Sequence, residues 1–210
     1  MKKEKFNQKL LVEGNDDQHV IWSLCQKFAL SENFDVIDCD GIDNIFAQLP
    51  IRMKQSEIKT IGIIVDADFD IQKRWQKLMS VVEKYEYLFD KQLRSEGIII
   101  TQDNMPKLGI WIMPNNEVSG MLEDFITFLV PDNDKLFPLA QDILSKLENL
   151  NINQYQLIHR TKALISTWLA WQEDPGTPMG LAITKKYLST DEKNCIQFIN
   201  WLIELFHSNE

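Results

Sequence analysis

The stretch Ile61–Asp70 reads Ile-Gly-Ile-Ile-Val-Asp-Ala-Asp-Phe-Asp. Its first five residues form an aliphatic run without a polar side chain, which predicts a β-strand that is buried on both faces, as in a parallel sheet. The acids follow directly, at the end of the strand where open parallel sheets collect their functional groups. Asp66 and Asp68 are two residues apart, so both would face one point on an extended backbone.

A second acidic segment follows the first predicted strand, residues 9–12 (Lys-Leu-Leu-Val). Glu13 comes directly after this strand, and Asp16 and Asp17 lie at the start of the helix expected next. If the two strands are neighbours in a parallel sheet, their acids meet at the same edge. The sequence therefore predicts a carboxylate site shared by two strands.

The remaining periodicity predicts an α/β fold with a mostly parallel sheet and a helical C-terminal extension. Further strands are expected at residues 34–38, 97–101 and 108–113, the last two as an antiparallel edge pair because their connection is short. Helices are expected at residues 16–29 with Asn15 as N-cap, 42–54, 71–88, around 121–126 with Ser119 as N-cap, 136–150, 156–171 and 192–206. Residues 174–180 are expected to form a loop. The predicted division is an α/β domain at 1–130 and a helical part at 131–210 that packs on it.

Composition and charge exclude several classes of protein. The chain has 210 residues, a net charge of −9 and an isoelectric point near 4.9, which argues against a surface covered with phosphate-binding lysines. No apolar run approaches the ~20 residues that a membrane span needs. Residues 1–5 precede no apolar segment of a signal peptide, so a cytoplasmic location is expected. Cys25, Cys39 and Cys195 form no zinc-binding or disulfide pattern.

Clustered carboxylates repel one another unless they take up protons or a cation. Oxygen ligands without nearby His or Cys favour Mg²⁺ or Mn²⁺ over Zn²⁺. Mg²⁺ completes its shell with water and phosphate oxygens, so phosphoryl transfer or phosphodiester hydrolysis is the implied chemistry. The competing interpretation is that acids after strands are turn or capping residues, and it applies most strongly to Asp16 and Asp70.

Residues 10–17 and 63–68 together resemble the Toprim superfamily, and the resemblance covers roughly residues 7–130. Toprim domains have a glutamate after the first strand and an Asp-x-Asp motif after a later one, and both bind divalent metal. Asp17 is similar to an acid of the overcoming-lysogenization-defect (OLD) type nucleases. Residues 112–124 look like a small uncharacterised Toprim family of standalone bacterial proteins, which implies a further site acid at Glu123, with Asp124 as a lesser candidate.

The resemblance implies a Mg²⁺- or Mn²⁺-dependent nuclease. Asp66 and Asp68 would ligate a first ion, and Glu13 would be a ligand or a general acid/base. Asp17 and Glu123 would help to hold a second ion. OLD-type nucleases are similar in placing a lysine beside the scissile phosphate, a role that we assign to Lys162, with Arg160 and Lys185 as the other candidates.

Alternative functions stay open at this point. The chain could be a non-catalytic or partner-dependent Toprim module that works with another subunit such as an ATPase. It could also be a small nucleotide phosphohydrolase or transferase. A phosphoacceptor receiver domain ranks low because no lysine ends the strand where that fold needs one. The expected partners are DNA or RNA and a protein partner or second copy, without a membrane.

Overall fold

The computed structural model describes residues 4–207. Residues 1–3, which belong to the N-terminal segment expected not to be a signal peptide, and residues 208–210 lie outside the described residues. One five-stranded sheet has the order β2-β1-β3-β5-β4. Its strands are β1 Gln8–Val12, β2 Asp35–Asp38, β3 Thr60–Asp66, β4 Ile98–Ile100 and β5 Lys107–Met113. All neighbours are parallel except β4, which pairs antiparallel with β5 at the edge. The predicted α/β fold with a mostly parallel sheet is confirmed.

Helices flank the sheet and make up the C-terminal region. They are α1 Asn15–Lys27, α2 Ile42–Arg52, α3 Ile71–Val82, α4 Leu122–Thr127, α5 Leu136–Asn149, α6 Arg160–Ala170, α7 Met179–Thr184 and α8 Lys193–Phe206. Pro50 lies inside α2, which continues for two residues beyond it. Among residues 4–207, no helix is long and apolar enough to cross a bilayer.

The central strand is buried on both faces, as its aliphatic run predicts. Ile64 packs into a core that contains α1 and the C-terminal helices, whereas Ile63 and Val65 pack into a second core with α2 and α3. This alternation follows from the two-residue period of a strand.

Helix α8 lies directly against the sheet, because two glycines of neighbouring strands leave room for it. A Cβ atom at Gly109 would lie 2.4 Å from Leu205 Cδ2, and one at Gly62 would lie 3.0 Å from the same atom. Trp201 and Leu205 of α8 share one core with Leu10 of β1. The helical part therefore packs on the α/β part, while the boundary at residue 130 stays a prediction.

The predicted N-caps of two helices are wrong. Helix α1 begins at Asn15, and its cap is Gly14 rather than Asn15. The N–H of Gly14 donates to Asp17 Oδ2 at 3.1 Å. Asp17, in the first turn of α1, accepts this hydrogen bond from the cap residue Gly14, so the helix start does not need a capping side chain at Asn15.

Helix α4 repeats this arrangement. Its cap is Met121 rather than Ser119, and the N–H of Met121 donates to Asp124 Oδ2 at 2.8 Å. Ser119 instead accepts a hydrogen bond from the N–H of Ile71 at 3.3 Å. Ser119 therefore ties the loop before α4 to the start of α3.

Helix α7 begins within the segment expected to be a loop, with Pro178 as its N-cap. Six residues are too few for a readable apolar period. Gly180 of α7 lies so close to α1 that an added Cβ would be 2.7 Å from the carbonyl oxygen of His19. The atoms nearest to this added Cβ belong to the backbone of His19, which cannot move aside as a side chain can.

We expect Gly180→Ala to lower the free energy of unfolding by about 1–3 kcal/mol, the usual cost of overpacking. The added methyl group would force α7 away from α1, because the colliding atoms belong to the backbone of His19. Urea denaturation of the variant measures the effect. Leu181→Ala, at a side chain that is 44% exposed on the same helix, is the control. Equal stability of Gly180→Ala and wild type would contradict the packing described.

Candidate active site

The carboxyl ends of β1 and β3 meet, as the sequence predicts for neighbouring parallel strands. Leu11 of β1 pairs with Ile63 of β3. Two residues further along, Glu13 Oε1 accepts the N–H of Asp66 at 2.8 Å. Asp66 Oδ1 in turn accepts the N–H of Leu122 at 3.0 Å. Two strands and the first turn of α4 thus converge on Asp66.

Two further acids reach this point from helix N-termini. Asp17 lies in the first turn of α1 and Glu123 in the first turn of α4. Both are buried, with 8% and 7% of their surface exposed. Both helix starts are favourable places for negative charge. We call Glu13, Asp17, Asp66 and Glu123 the acid cluster.

The acid cluster is electrostatically strained. Burial raises the pKa of Asp66 well above its ordinary value, and the charges of Asp17 and Glu13 raise it further. Burial, and next the charge of Glu13, raises the pKa of Asp17 to about 7. Burial also raises the pKa of Glu13, although the N–H of Asp66 opposes this. The three carboxylates favour added positive charge, either as protons or as a cation.

Lys162 is the basic candidate that the fold brings to the acid cluster. Its Nζ lies 3.4 Å from Glu123 Oε1, and 57% of its side chain is exposed. The preceding Thr161 donates to Asp124 Oδ1 at 2.8 Å, which joins the start of α6 to α4. Asp124 also accepts the N–H of Met121, so its position is accounted for by holding these elements together.

The other two basic candidates lie in local ion pairs elsewhere. Arg160 Nε is 2.8 Å from Glu148 Oε1, which joins α6 to α5. Lys185 pairs with Asp174 in the loop before α7. Neither contact involves a member of the acid cluster.

Asp68 does not follow the alternation predicted for it. Strand β3 ends at Asp66, and Asp68 has a left-handed backbone with φ of 54°. Its N–H donates to the carbonyl of Gly120 at 2.9 Å, and its carboxylate pairs with Arg74. The charge of Asp68 is still close enough to raise the pKa of Asp66.

Arg74 is the site residue that the sequence analysis missed. It lies on α3, and only 10% of its side chain is exposed beside Asp68. Its charge lowers the pKa of Glu13, so it acts on the acid cluster as well. The available signal was its place in the first turns of the helix that follows the Asp-x-Asp motif.

The remaining acids have separate positions. Asp70 caps α3, since its Oδ1 accepts the N–H of Lys73 at 3.1 Å. Asp16 is exposed on α1 and lines a cavity next to Glu123. The capping interpretation is thus confirmed for Asp70.

Each carboxylate of the site already has a partner from the protein. Within residues 4–207, no three His, Cys, Asp or Glu side chains form a ready-made shell for a metal ion. Backbone N–H groups bond Glu13, Asp17 and Asp66, and cationic side chains pair with Asp68 and Glu123. The donors present are hard oxygens, which suit Mg²⁺ or Mn²⁺ by chemical type.

The raised pKa of Asp17 makes stability depend on pH in the metal-free protein. Between its ordinary 3.8 and about 7, the folded state holds a proton that the unfolded state releases. The stabilisation by the bound proton is fully present below 3.8, the pKa of Asp17 in the unfolded state, and is lost as the pH rises from there through 7. The shift of the Asp17 pKa from 3.8 to about 7 corresponds to roughly 4 kcal/mol of folding free energy as an upper value.

We therefore expect Asp17→Asn in EDTA to lose less stability than wild type between pH 5 and pH 8. An asparagine oxygen still accepts the N–H of Gly14, so the helix start is kept. Urea unfolding at both pH values measures the change, with Asp16→Asn at the exposed neighbouring position as control. An identical pH dependence of Asp17→Asn and wild type would rule out this role of Asp17.

Comparison with known proteins places the chain in a family but adds no activity. Residues 7–207 match the family described as "Protein of unknown function (DUF3226)". No curated protein and no solved structure was found to match the chain.

Proposed function

Because the chain belongs to the DUF3226 family of proteins of unknown function, we propose its activity from its own site: it is a Toprim-type, divalent-metal-dependent nuclease. The reaction is hydrolysis of phosphodiester bonds in DNA or RNA, with Mg²⁺ or Mn²⁺ as cofactor. The proposal places the protein in the cytoplasm.

One observation carries the proposal. The four members of the acid cluster come from four different elements or their ends and converge at the carboxyl edge of the sheet, where open α/β sheets bind ligands. Burial, and after it the charges of neighbouring acids, raise the pKa values of Glu13, Asp17 and Asp66, so these carboxylates would gain from an added cation. A purely structural group of acids would gain from replacement by neutral residues, so an arrangement of this kind points to a functional site.

Asp66 and Asp68 would hold one ion, and Asp17 and Glu123 would help to hold a second. When bound, divalent cations supply the charge that activates water and stabilises the leaving oxygen of an in-line displacement. Asp68 and Glu123 would exchange Arg74 and Lys162 for this charge. Both cationic side chains would then become free to contact phosphate oxygens.

Two residues have roles in proton transfer and charge stabilisation. Glu13 Oε1 is oriented by the N–H of Asp66, and its raised pKa brings the carboxyl group closer to the range of a general acid or base. Lys162 stands at the exposed rim of the acid cluster, where its ammonium group can stabilise charge that develops on the scissile phosphate.

A cleavage panel tests the proposal. Single- and double-stranded DNA and RNA are incubated with the protein and Mg²⁺ or Mn²⁺, with EDTA and the Asp66→Ala/Asp68→Ala variant as controls. Metal-dependent cleavage that the double variant lacks is the expected result. A folded protein that binds metal but cleaves none of the four polymers would refute the autonomous nuclease.

A second candidate function is favoured by the two ion pairs, Arg74 with Asp68 and Lys162 with Glu123. They occupy carboxylates that a metal would need, as in a module that is non-catalytic or becomes active only with a partner subunit such as an ATPase. This function predicts metal binding without turnover by the isolated chain. Hydrolysis of free nucleotides but not of polymers would instead identify a phosphohydrolase or nucleotide transferase.

A further inference from the structure

A cavity of about 240 Å³ opens beside the acid cluster, between α6 and the loop that leads into α7. One wall is apolar and consists of Ile165, Leu169, Pro178 and Met179. Ile165 and Leu169 belong to the core of the protein, so this part of the apolar wall is held in place by packing. Ser166 stands at the exposed rim.

Charged residues also line the cavity, and they connect it with the site. Asp16, Glu123 and Lys162 line it. Since Glu123 also belongs to the acid cluster and Lys162 pairs with it, the cavity is continuous with the acid cluster. A ligand here can place one group against the apolar wall and an anionic group beside Lys162.

The loop that forms one side of the cavity is tied to the rest of the protein. The N–H of Gly176 donates to the carbonyl of Leu169 at 3.2 Å. Thr177 is buried, and its hydroxyl donates to the carbonyl of Asp174 at 2.7 Å. These bonds preform the wall, as is usual for ligand pockets.

We propose that this cavity, the base pocket, receives the nucleobase of an unpaired nucleotide next to the scissile phosphate. The proposal rests on the proposed nuclease function and assigns its substrate class. The volume of about 240 Å³ is below the roughly 300–1,000 Å³ of pockets for drug-sized ligands, so it suits one flat ring system. A nucleotide carries an anionic phosphate one sugar away from a flat base, which fits a cavity that is lined by both apolar side chains and Lys162, the partner of Glu123.

The base pocket selects single-stranded nucleic acid. A base inside a duplex is stacked and paired, and it must leave the helix before it can enter a concave site. Apolar side chains do not read the hydrogen-bonding edge of a base, so the pocket implies a preference for strand state rather than for sequence.

Filling the pocket tests this assignment. Ser166→Phe places a ring at the exposed rim without changing the core, and Ala170→Phe adds the same ring at an exposed position of α6 outside the pocket. The first probe is adenosine 5′-monophosphate in the presence of Mg²⁺, which contains no diester bond and so cannot be cleaved by the nuclease. Its binding is measured by calorimetry. We expect Ser166→Phe to weaken its binding by about tenfold, the scale of one lost base-stacking contact, and Ala170→Phe to leave binding unchanged.

The second probe is the single strand that the wild type cleaves, with and without one abasic residue beside the scissile bond. Wild type and Ala170→Phe should cleave the intact strand about tenfold faster than the abasic strand, and Ser166→Phe should cleave both at the abasic rate. Equal cleavage of duplex and single strand, or unchanged behaviour of Ser166→Phe with both probes, would overturn the base pocket.

The two proposals fail in different ways. If the nuclease function is wrong, no strand is cleaved, but binding of adenosine 5′-monophosphate by wild type and its loss in Ser166→Phe would still support the pocket. If only the pocket is wrong, cleavage persists in Ser166→Phe with the same rates as in Ala170→Phe. Absence of mononucleotide binding by the wild type would also reject the pocket.

Discussion

Asp66→Asn is expected to lower the rate of metal-dependent cleavage by about a thousandfold, at the upper end of the effect of removing one preorganised electrostatic group from an active site. Asp66 is hydrogen-bonded both to Glu13, which follows β1, and to Leu122 at the start of α4. Asparagine has the same shape, and its oxygen can still accept the N–H of Leu122. The loss therefore reports the missing charge rather than a changed fold.

The same substitution is expected to stabilise the metal-free protein at pH 8. Burial, and after it the charges of Asp17, Glu13 and Glu123, raise the pKa of Asp66, so ionising Asp66 in the folded state is unfavourable. Each ~1 kcal/mol gained raises the melting temperature by roughly 2–4 °C in a chain of this size. Thermal unfolding in EDTA and in Mg²⁺ measures the effect, and the stabilisation by Mg²⁺ should shrink in the variant.

Opposite changes in activity and stability distinguish a functional acid from a structural one. Asp70→Asn is the matched control, because asparagine also caps helices well and Asp70 contacts α3 rather than the acid cluster. It should retain both the activity and the stability of the wild type. A metal-free Asp66→Asn protein that is less stable than wild type at pH 8 would contradict the electrostatic argument.

The second large effect is expected at Lys162. Lys162→Ala should lower kcat by about a hundredfold, with a smaller change in KM, because the ammonium group acts on charge that develops during the reaction. Lys162→Arg should recover part of the rate, since it keeps the positive charge at the rim. Steady-state kinetics on the polymer found in the cleavage panel provide the measurement.

Arg160→Ala and Lys185→Ala are the controls for this prediction. Both residues were candidates for the same role, and both lie in ion pairs away from the acid cluster. Their removal should leave kcat close to that of the wild type, because neither ion pair involves a member of the acid cluster. A loss of activity in either control equal to that in Lys162→Ala would invalidate the assignment of the catalytic cation.

Local sequence patterns predicted the larger elements and the positions of their acids. The aliphatic run before Asp66 and the short strand before Glu13 placed an acid at the carboxyl end of each strand, and the pairing of β1 with β3 in the structure brings both acids to one edge of the sheet. Local sequence patterns were less informative for short helices and for helix caps. Helix α7 has too few residues for a period, and the caps of α1 and α4 are held by acids one turn further on.

By itself, the sequence determined the main strands, the burial of the central strand on both faces and the carboxylates that follow β1 and β3, because these depend on alternation and composition within a few residues. Only the tertiary structure decided the cationic partners of Asp68 and Glu123. Asp68 pairs with Arg74 because the backbone turns at Asp68, and Glu123 pairs with Lys162 because Thr161 joins α6 to α4. Such contacts depend on how distant elements pack, and no local period records that.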